Sequence, residues 1–458
     1  MCCERGAFRI IVINRSSHIS PHPSNNTMAS AHGHQQSSSL ADGDRKFRSD
    51  WLRELLLRHA HRHPSMPDDL RGTALVVAPM VDASDLPYRL LTRRYNASLC
   101  FTPMIHARMF VEKPGYRRKF WKVGVGTPPE DRPLIAQFCG HDKDVLLAAM
   151  RIVEGGVDGV DVNCGCPQGI AKRGRYGAYL MEEEGGDRIV DIVRHLSSNL
   201  SVPVSVKLRI LPTGIEDSLV LYERIVDAGA SMLTIHGRTR HQKQLATGDV
   251  DWGAIRRVVE LVGRRVPVIA NGGISNMDDV RRCLEVTGAD GVMSSEAILE
   301  YPPLFTETNV ESTDFRRTGP GRLRMAVDYL DLCRMHPPNE GGQGSGLKCI
   351  RAHLHRFLHA DMQRHTALRD GVVKTFTMEG ADDVINMARG MYDASEHDAG
   401  EEQLSWYVRH RVGRGGLDEG REEEEEDAEE EKKDASTQED QECPCDVFGE
   451  VCADDGDY

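Results

Sequence analysis

Short apolar runs alternate with segments of helical period from Thr73 to about residue 300 of this chain. Eight of the runs are four to six residues long and rich in Val, Ile, Leu and Ala, as the buried strands of parallel sheets are. They occupy residues 74–78, 98–101, 134–138, 157–162, 204–208, 232–235, 266–270 and 291–294. Five connecting segments carry apolar residues at spacings of three and four, which predicts helices at 142–154, 187–196, 218–228, 251–261 and 277–286.

Eight strand candidates that alternate with helices over about 220 residues predict a (β/α)8 TIM barrel. A doubly wound α/β sheet is the alternative. Dinucleotide-binding sheets of that kind carry a G-x-G-x-x-G turn after the first strand, and this sequence has none there. Closure of the strands into a barrel is therefore the favoured interpretation.

The pattern changes after Pro302-Pro303, where longer helical segments follow at 322–333, 347–364 and 382–392. We predict four regions: a disordered N-terminal segment at 1–48, the barrel domain at 49–305 with its core at 73–305, a small all-helical domain at 306–395, and a disordered acidic tail at 396–458. A short amphipathic helix at 51–61 is expected to pack on the barrel.

Charge and cysteine content narrow the possible partners and compartment. The net charge of the 458 residues is −14, but much of it lies in the tail around Glu422–Asp427, so it does not exclude a polyanionic partner of the folded part. The twelve Cys are scattered, which indicates a reducing compartment. No run has the length of a membrane span, so no membrane association is expected. We expect a cytoplasmic or nuclear protein. Organellar targeting by residues 1–27 stays open, because Met28 could equally be the start.

Polar residues and a cysteine follow the predicted strands, where barrel enzymes place their chemistry. The fourth strand ends in Asn163-Cys164-Gly165-Cys166-Pro167, and a basic loop with Lys172, Arg173 and Arg175 comes next. That loop suits a polyanionic substrate. The other residues at strand ends are Pro79, Met80, Gln137, Lys207, Arg209, His236, Arg238, Asn271, Gly272, Gly273, Ser295 and Glu296.

The side-chain types at these positions favour a flavin. Lys207 lies between Val206 and Leu208, so its amine must find a polar partner inside the barrel mouth, where it could stabilise the negative charge of a reduced flavin. Gln137 offers a donor and an acceptor, and Gly272-Gly273 lies where barrels bind phosphate. Barrel-bound FMN fits this set better than a nicotinamide. Cys166 could be a nucleophile, an acid or a metal ligand, and metal is the weakest option because no second ligand pair has zinc spacing.

The motifs A-P-M, N-x-G-C-P with its basic loop and G-A-x-L, K-x-R, H-G-R-T and N-G-G, taken together, resemble those of the tRNA-dihydrouridine synthases. The resemblance covers Ala74 to Phe305 with the motifs in the family's order, and the helical segments after it lie where that family carries its tRNA-binding domain. VNCGCPQGIAKRGRYGAYLM and HGRTRHQKQ are most similar to the eukaryotic group that acts on uridines 16 and 17.

The resemblance implies roles for these residues. Cys166 would be the general acid that protonates C5 of the uracil, while FMN supplies hydride to C6 and NADPH or NADH reduces the flavin. A monomer that binds tRNA through its helical domain is expected. The residues implied to hold FMN are Pro79, Met80, Val81, Gln137, Lys207, His236, Asn271, Gly272 and Gly273, with Ser295 and Glu296 where many members have Gly-Arg. Those implied to bind tRNA are Asn163, Arg173, Arg175, Arg209 and Arg238.

Two other functions remain compatible with such a barrel. One is an FMN-dependent oxidoreductase acting on a small molecule, which would need neither the basic loop nor the helical domain. The other is a non-catalytic RNA-binding protein that keeps the barrel as a scaffold. Arg173 and Arg175 count against the first, whereas Cys166, Lys207 and His236 count against the second.

Overall fold

The computed structural model describes residues 50, 52–55, 67–121, 127–242, 248–306, 319–337, 347–375 and 377–394. The segment predicted to be disordered at 1–48, most of the helix predicted at 51–61, and the tail at 396–458 lie outside the described residues.

Nine strands form one parallel sheet that closes on itself. They are β1 (Ala74–Val77), β2 (Leu99–Phe101), β3 (Ile105–His106), β4 (Leu134–Cys139), β5 (Gly159–Cys164), β6 (Val204–Arg209), β7 (Met232–His236), β8 (Val268–Asn271) and β9 (Gly291–Ser294). β1 pairs with both β2 and β9, and β2 pairs with β4, so eight strands complete a closed ring. The predicted TIM barrel is confirmed. β3 was not predicted, because two residues that extend the edge of β4 are too few to show a period.

Helices surround the barrel and follow it in the chain. Those between strands are α1 (Leu86–Arg93), α2 (Ala107–Glu112), α3 (Pro114–Phe120), α4 (Lys143–Val153), α5 (Gly169–Arg173), α6 (Asp187–Asn199), α7 (Ile215–Asp227), α8 (Trp252–Val262) and α9 (Met277–Thr287). After β9 come α10 (Glu296–Glu300), α11 (Gly319–Met335), α12 (Leu347–Phe357), α13 (His359–Arg364), α14 (Thr366–Val373) and α15 (Met378–Ala394). The five helices predicted between strands are confirmed within three residues at each end.

The period-two alternation of the strands separates the barrel interior from the layer beneath the helices. Along β5, Asp161 and Asn163 belong to the inner polar set, whereas Val162 and Cys164 join the apolar core between strands and helices. Cys164 is fully buried in that outer layer. The lower interior is apolar and is formed by Ala74, Val76, Leu99, Phe101, Ile135, Met232, Ile269 and Met293.

Leu52 closes the bottom of the barrel. Its side chain is 1% exposed and packs in the same cluster as Ala74, Ile269 and Met293. Arg53 beside it donates to the carboxylate of Asp290 at 3.2 Å and to the carbonyl of Gly263 at 2.7 Å. The expectation that the segment before the first strand packs on the main body is confirmed for the four residues 52–55.

The helices after β9 pack on one side of the barrel. α11 lies against α1, and α12 lies against α10, within one continuous apolar core. Leu354, Phe357 and Leu358 are fully buried there, as their spacing predicted. The segment predicted as one helix at 347–364 is two, α12 and α13, because Leu358 leaves the helical backbone geometry. No helix among the described residues is long and apolar enough to cross a membrane.

Candidate active site

The polar residues predicted at strand ends do meet at one mouth of the barrel. Strand register places Asn163 opposite Lys207, and it aligns Arg209, His236 and Asn271 across β6, β7 and β8. Nζ of Lys207 donates to Oδ1 of Asn271 at 2.8 Å. These side chains therefore form a single half-buried polar surface around the end of β6.

Cys166 lies in the tight turn that follows β5. The backbone N–H groups of Gly165 and Cys166 donate to Oδ1 of Asn163 at 3.2 and 3.1 Å, which fixes the turn to the strand. Gly177 passes so close that a Cβ there would be 2.6 Å from the carbonyl oxygen of Cys166, and its φ of +68° suits glycine alone. The sequence G-A-Y-L is thus required by the approach of the chain to the cysteine turn.

The thiol of Cys166 is kept in its neutral form. Burial raises its pKa, and this outweighs the opposite effects of a backbone hydrogen bond with Gln168 and of the cations Arg209 and Lys207. Met104, Tyr176 and Tyr179 form a small apolar cluster against it. A protonated thiol in such a place is suited to donate a proton rather than to attack as a thiolate.

Beneath this turn lies a chain of hydrogen bonds that we call the mouth network, made of Gln137, Asp161, Asn163 and Ser205. Nε2 of Gln137 donates to Oδ2 of Asp161 at 2.8 Å, and Oγ of Ser205 donates to Oδ1 at 2.6 Å. Nδ2 of Asn163 donates to Oε1 of Gln137 at 2.9 Å. Gln137 and Asp161 are fully buried. Every member thus has a side-chain partner at good hydrogen-bond distance.

Burial and neighbouring charges shift the pKa values of the ionisable groups in the mouth. Burial lowers the pKa of Lys207 to about 8, helped by Arg209 and opposed by Asp161. Burial raises the pKa of Asp161 to about 6, opposed by its hydrogen bonds with Ser205 and Gln137 and by Lys207. The pKa of His236 lies well below its usual value, because the ring is buried and faces Arg209, Lys207 and Arg238. At neutral pH the mouth therefore holds a carboxylate, an ammonium and a neutral imidazole.

Two glycines follow β8 and border a cleft between the ends of β8 and β9. Gly272 and Gly273 both have positive φ, at +103° and +79°, and a Cβ at Gly272 would come within 2.9 Å of the His236 ring. A Cβ at Gly273 would come within 2.5 Å of Val250. The residues from Asn271 to Ile274 line a cleft together with those from Met293 to Ala297. Internal packing thus requires both glycines, and a glycine turn that borders a cleft beside Lys207, which we call the glycine cradle, is compatible with the predicted FMN.

The remaining residues predicted to hold a cofactor border this mouth with different exposure. Pro79 and Met80 are half-buried, whereas Val81 is 46% exposed. The backbone N–H of Met80 donates to Oγ of Ser84 at 3.0 Å. Ser295 is half-buried and Glu296 is exposed, both in the cleft lined by the glycines. The roles assigned to these residues stay predictions.

The arginines predicted to bind tRNA differ in their exposure and in the number of hydrogen bonds they make within the protein. Arg238 is 7% exposed and donates to the carbonyl of Gly248 at 3.2 and 2.8 Å. Arg209 donates to the carbonyls of Gly165 and Thr239 at 2.8 and 2.7 Å, so it also braces the cysteine turn. Arg173 and Arg175 are exposed, and Arg175 pairs with Glu183 at 2.7 Å. The contact of this exposed pair with tRNA stays a prediction.

Asp161 was not predicted, although the sequence carries its signal. It lies between Val160 and Val162 in a buried strand, as Lys207 lies between Val206 and Leu208. A charged residue at such a place must point into the barrel toward a polar partner. The same argument that selected Lys207 therefore selects Asp161.

A second buried polar cluster joins the barrel to the helices after it. We call it the joint, and it consists of Asp85, Tyr329, Cys349 and His353. Nε2 of His353 lies 3.5 Å from Oδ1 of Asp85, and the hydroxyl of Tyr329 lies 3.3 Å from Oδ2. His353 is fully buried and stacks on Tyr88 with ring centroids 4.5 Å apart. The basic segment 348–364 thus directs this histidine inward rather than toward solvent.

The joint also contains the one group of possible metal ligands found among the described residues. Ligand atoms of Asp85, Cys349 and His353 lie within 4.8 Å of one another. The thiol of Cys349 already donates to the carbonyl of Asp82 at 3.3 Å, and a structural zinc site has four protein ligands. The group therefore falls short of a complete zinc site.

The chain is similar to one family of known proteins. The family model described as dihydrouridine synthase (Dus) matches residues 76–392. A Rattus norvegicus protein named tRNA-dihydrouridine(16/17) synthase-like is 42% identical over 312 residues, which cover 68% of this chain and 66% of that protein. The tRNA-dihydrouridine(16/17) synthase of Schizosaccharomyces pombe is 39% identical over 302 residues, which cover 66% of this chain and 73% of that protein.

A less similar relative is named for other positions of tRNA. A Homo sapiens protein named tRNA-dihydrouridine(20a/20b) synthase-like is 35% identical over 262 residues, which cover 57% of this chain and 79% of that protein. The chain spans just under two thirds of the length of the rat relative.

Proposed function

Since this chain belongs to the dihydrouridine synthase family, we propose that it reduces uridine to dihydrouridine in tRNA, with FMN as its bound cofactor and NADPH or NADH as the source of electrons. The observation that carries the proposal is the neutral thiol of Cys166 in a braced turn beside Lys207 and the glycine cradle. A small-molecule reductase would not need the exposed Arg173 and Arg175 at the rim of that site.

The chain's own residues have definite tasks in this reaction. Bound FMN would supply the hydride for C6 of the uracil. The thiol of Cys166 donates the proton to C5, because burial keeps that proton on sulfur at neutral pH. The ammonium of Lys207 would stabilise negative charge on the bound flavin. The residues that would hold FMN are Lys207, His236 and Asn271 to Gly273, whereas Gln137 is fully buried beneath them and bonds to Asp161 and Asn163.

The substrate must deliver its base into the barrel. C5 and C6 of a stacked uridine are out of reach of a buried thiol, so the nucleotide has to leave its stack. Arg173 and Arg175 at the rim attract the phosphates on either side of the extruded base. We place the target at uridines 16 and 17, because relatives named for those positions share 42% and 39% identity with this chain, against 35% for the relative named for 20a/20b.

The test is a map of dihydrouridine, position by position, in tRNA from cells that lack this protein. We expect dihydrouridine to disappear at 16 and 17 alone, and to return on expression of the wild type but not of Cys166→Ala. Cys164→Ala is the matched control, since that thiol faces away from the mouth and its loss should leave the modification in place. Loss at another position would keep the chemistry and overturn the assigned uridines. No loss anywhere would overturn the tRNA substrate and favour a small-molecule flavoenzyme.

A further inference from the structure

The mouth network has a polarity that begins at Asp161. A carboxylate only accepts hydrogen bonds, so Gln137 must turn its NH2 group toward Oδ2 of Asp161, 2.8 Å away. Its Oε1 then faces Asn163, which must in turn present Nδ2, at 2.9 Å. The oxygen of Asn163 is left facing the backbone N–H groups of Gly165 and Cys166.

Neither amide has this preference by itself. The two orientations of a Gln or Asn side chain differ only in which of two atoms of similar size is the donor, and the hydrogen-bond network alone decides between them. If Asn163 were reversed, its NH2 group would face two N–H donors, and the cysteine turn would lose both hydrogen bonds. Ser205 cannot set the direction, since its hydroxyl both donates and accepts. The network therefore has two fixed ends, the carboxylate as acceptor and the two backbone N–H groups as donors, and both favour the same orientation of the amides.

We propose that Asp161 is a positioning residue that, through Gln137 and Asn163, orients the turn carrying Cys166 and thereby the direction of its thiol. Asp161 is completely buried and accepts hydrogen bonds from Gln137 and Ser205, so its effect on Cys166 passes through the two amides. Its pKa of about 6 leaves it ionised at pH 7.5. The inference rests on the proposed function only for its effect on turnover, since the state of the turn is measured without substrate.

The decisive variant is Asp161→Asn, which keeps the shape of the side chain but replaces the charged acceptor with a neutral amide that can present either of its atoms to Gln137. We expect the turn to loosen and iodoacetamide to alkylate Cys166 at least five times faster than in the wild-type full-length protein as purified. The rate is followed by mass spectrometry of the peptide that contains Cys166, and its fragment ions locate the label on Cys166 or on the buried Cys164 two residues before it. Ser205→Ala is the matched control, since it removes one hydrogen bond to the same carboxylate and leaves the polarity intact. Its alkylation rate should stay within twofold.

A second variant separates orientation from mere stability. In Asp161→Asn/Gln137→Glu the carboxylate moves one position along the network. There it accepts from the amide that replaces Asp161, and it still accepts from Nδ2 of Asn163. The oxygen of Asn163 should again face the turn, and the alkylation rate should return to within twofold of the wild type. A loss of packing alone would not be repaired by this exchange.

The outcomes are distinguishable from failure of the proposed function. An alkylation rate of Asp161→Asn within twofold of the wild type overturns the positioning role, and so does a doubly substituted protein that stays as reactive as the single variant. If Asp161→Asn alone does not fold, the doubly substituted protein decides, because an alkylation rate more than twofold above that of the wild type overturns the role. If the protein proved inactive on tRNA, these alkylation rates would stand unchanged.

If the protein is active on tRNA, Asp161→Asn should lower kcat more than tenfold and change KM for tRNA by less than twofold.

Discussion

The mouth network and the joint are both buried polar clusters, but their hydrogen-bonding atoms are satisfied to different degrees. In the mouth network, the side-chain hydrogen bonds measure 2.6–3.2 Å. In the joint, Oδ1 of Asp85 and both ring nitrogens of His353 make no hydrogen bond of good geometry among the described residues, and the 3.5 Å between Nε2 and Oδ1 is long for a hydrogen bond.

The difference separates two ways in which a buried polar group is retained. A satisfied network selects one arrangement of its members, which suits a site whose atoms must be aimed. An unsatisfied group costs about 1–3 kcal/mol and must be held by something else. In the joint that is ring packing, because His353 stacks on Tyr88 and lies against Tyr329 and Phe357. The mouth network therefore serves geometry, and the joint serves cohesion between the barrel and the helices.

The largest effect that would test this difference between the mouth network and the joint is a loss of activity on substitution of Cys166. Cys166→Ala should lower the rate of uridine reduction by a factor of about 10²–10⁴, because it removes the proton donor and leaves the mouth intact. The flavin content and the midpoint of urea unfolding should stay those of the wild type. Full activity in single-turnover reduction of tRNA would exclude the acid role, whereas loss of flavin would show that the cysteine also supports the cofactor.

The next largest effect is expected in the joint and concerns stability. His353→Ala removes a fully buried ring and should lower the free energy of unfolding by about 3–5 kcal/mol in urea titrations. His353→Phe keeps the ring and removes the two unpartnered nitrogens, so it should cost less than about 1.5 kcal/mol. Equal losses in both variants would mean that the contact with Asp85, and not the stacking, holds the joint.

The smallest predicted effect is a pH dependence at the mouth. Because Lys207 has a pKa of about 8, its ammonium is present below that pH and is lost above it. We therefore expect the affinity of the cofactor-free protein for FMN to weaken by up to about tenfold between pH 7.5 and 9, as one attractive charge disappears. Quenching of flavin fluorescence measures it. Lys207→Met should bind more weakly at pH 7.5 and show no such decline, and a parallel decline in both proteins would place the titrating group elsewhere.

The strands and their chemistry could be predicted from the sequence because both follow from a period of two. Apolar runs mark the strands, and a polar residue at the end of a parallel strand has to lie at the same edge as its counterparts. That is why Lys207, His236 and Asn271 were placed together correctly before any coordinates. The opposite faces of Cys164 and Asn163 follow from the same alternation.

The parts that escaped prediction depend on contacts between distant segments. Whether His353 faces solvent or the barrel depends on how α12 rotates against α1, and its basic neighbours Lys348 and Arg356 carry no signal of that rotation. The partners of Gln137 are likewise set by two other strands, so its donor and acceptor could not be assigned to Asp161 and Asn163 in advance. A strand can be recognised from the alternation of residues along it, but no such local pattern in the sequence shows which side chains on different strands are partners.

The leucine that closes the bottom of the barrel affects how this protein can be subdivided. A recombinant fragment that began at the first strand would contain every residue of the mouth, yet it would lack Leu52 and leave Ala74, Ile269 and Met293 open to water from below. Such a fragment would expose apolar surface normally covered by a segment more than twenty residues upstream, and it would aggregate for that reason. Expression boundaries are thus dictated by the floor of the barrel and not by its catalytic rim.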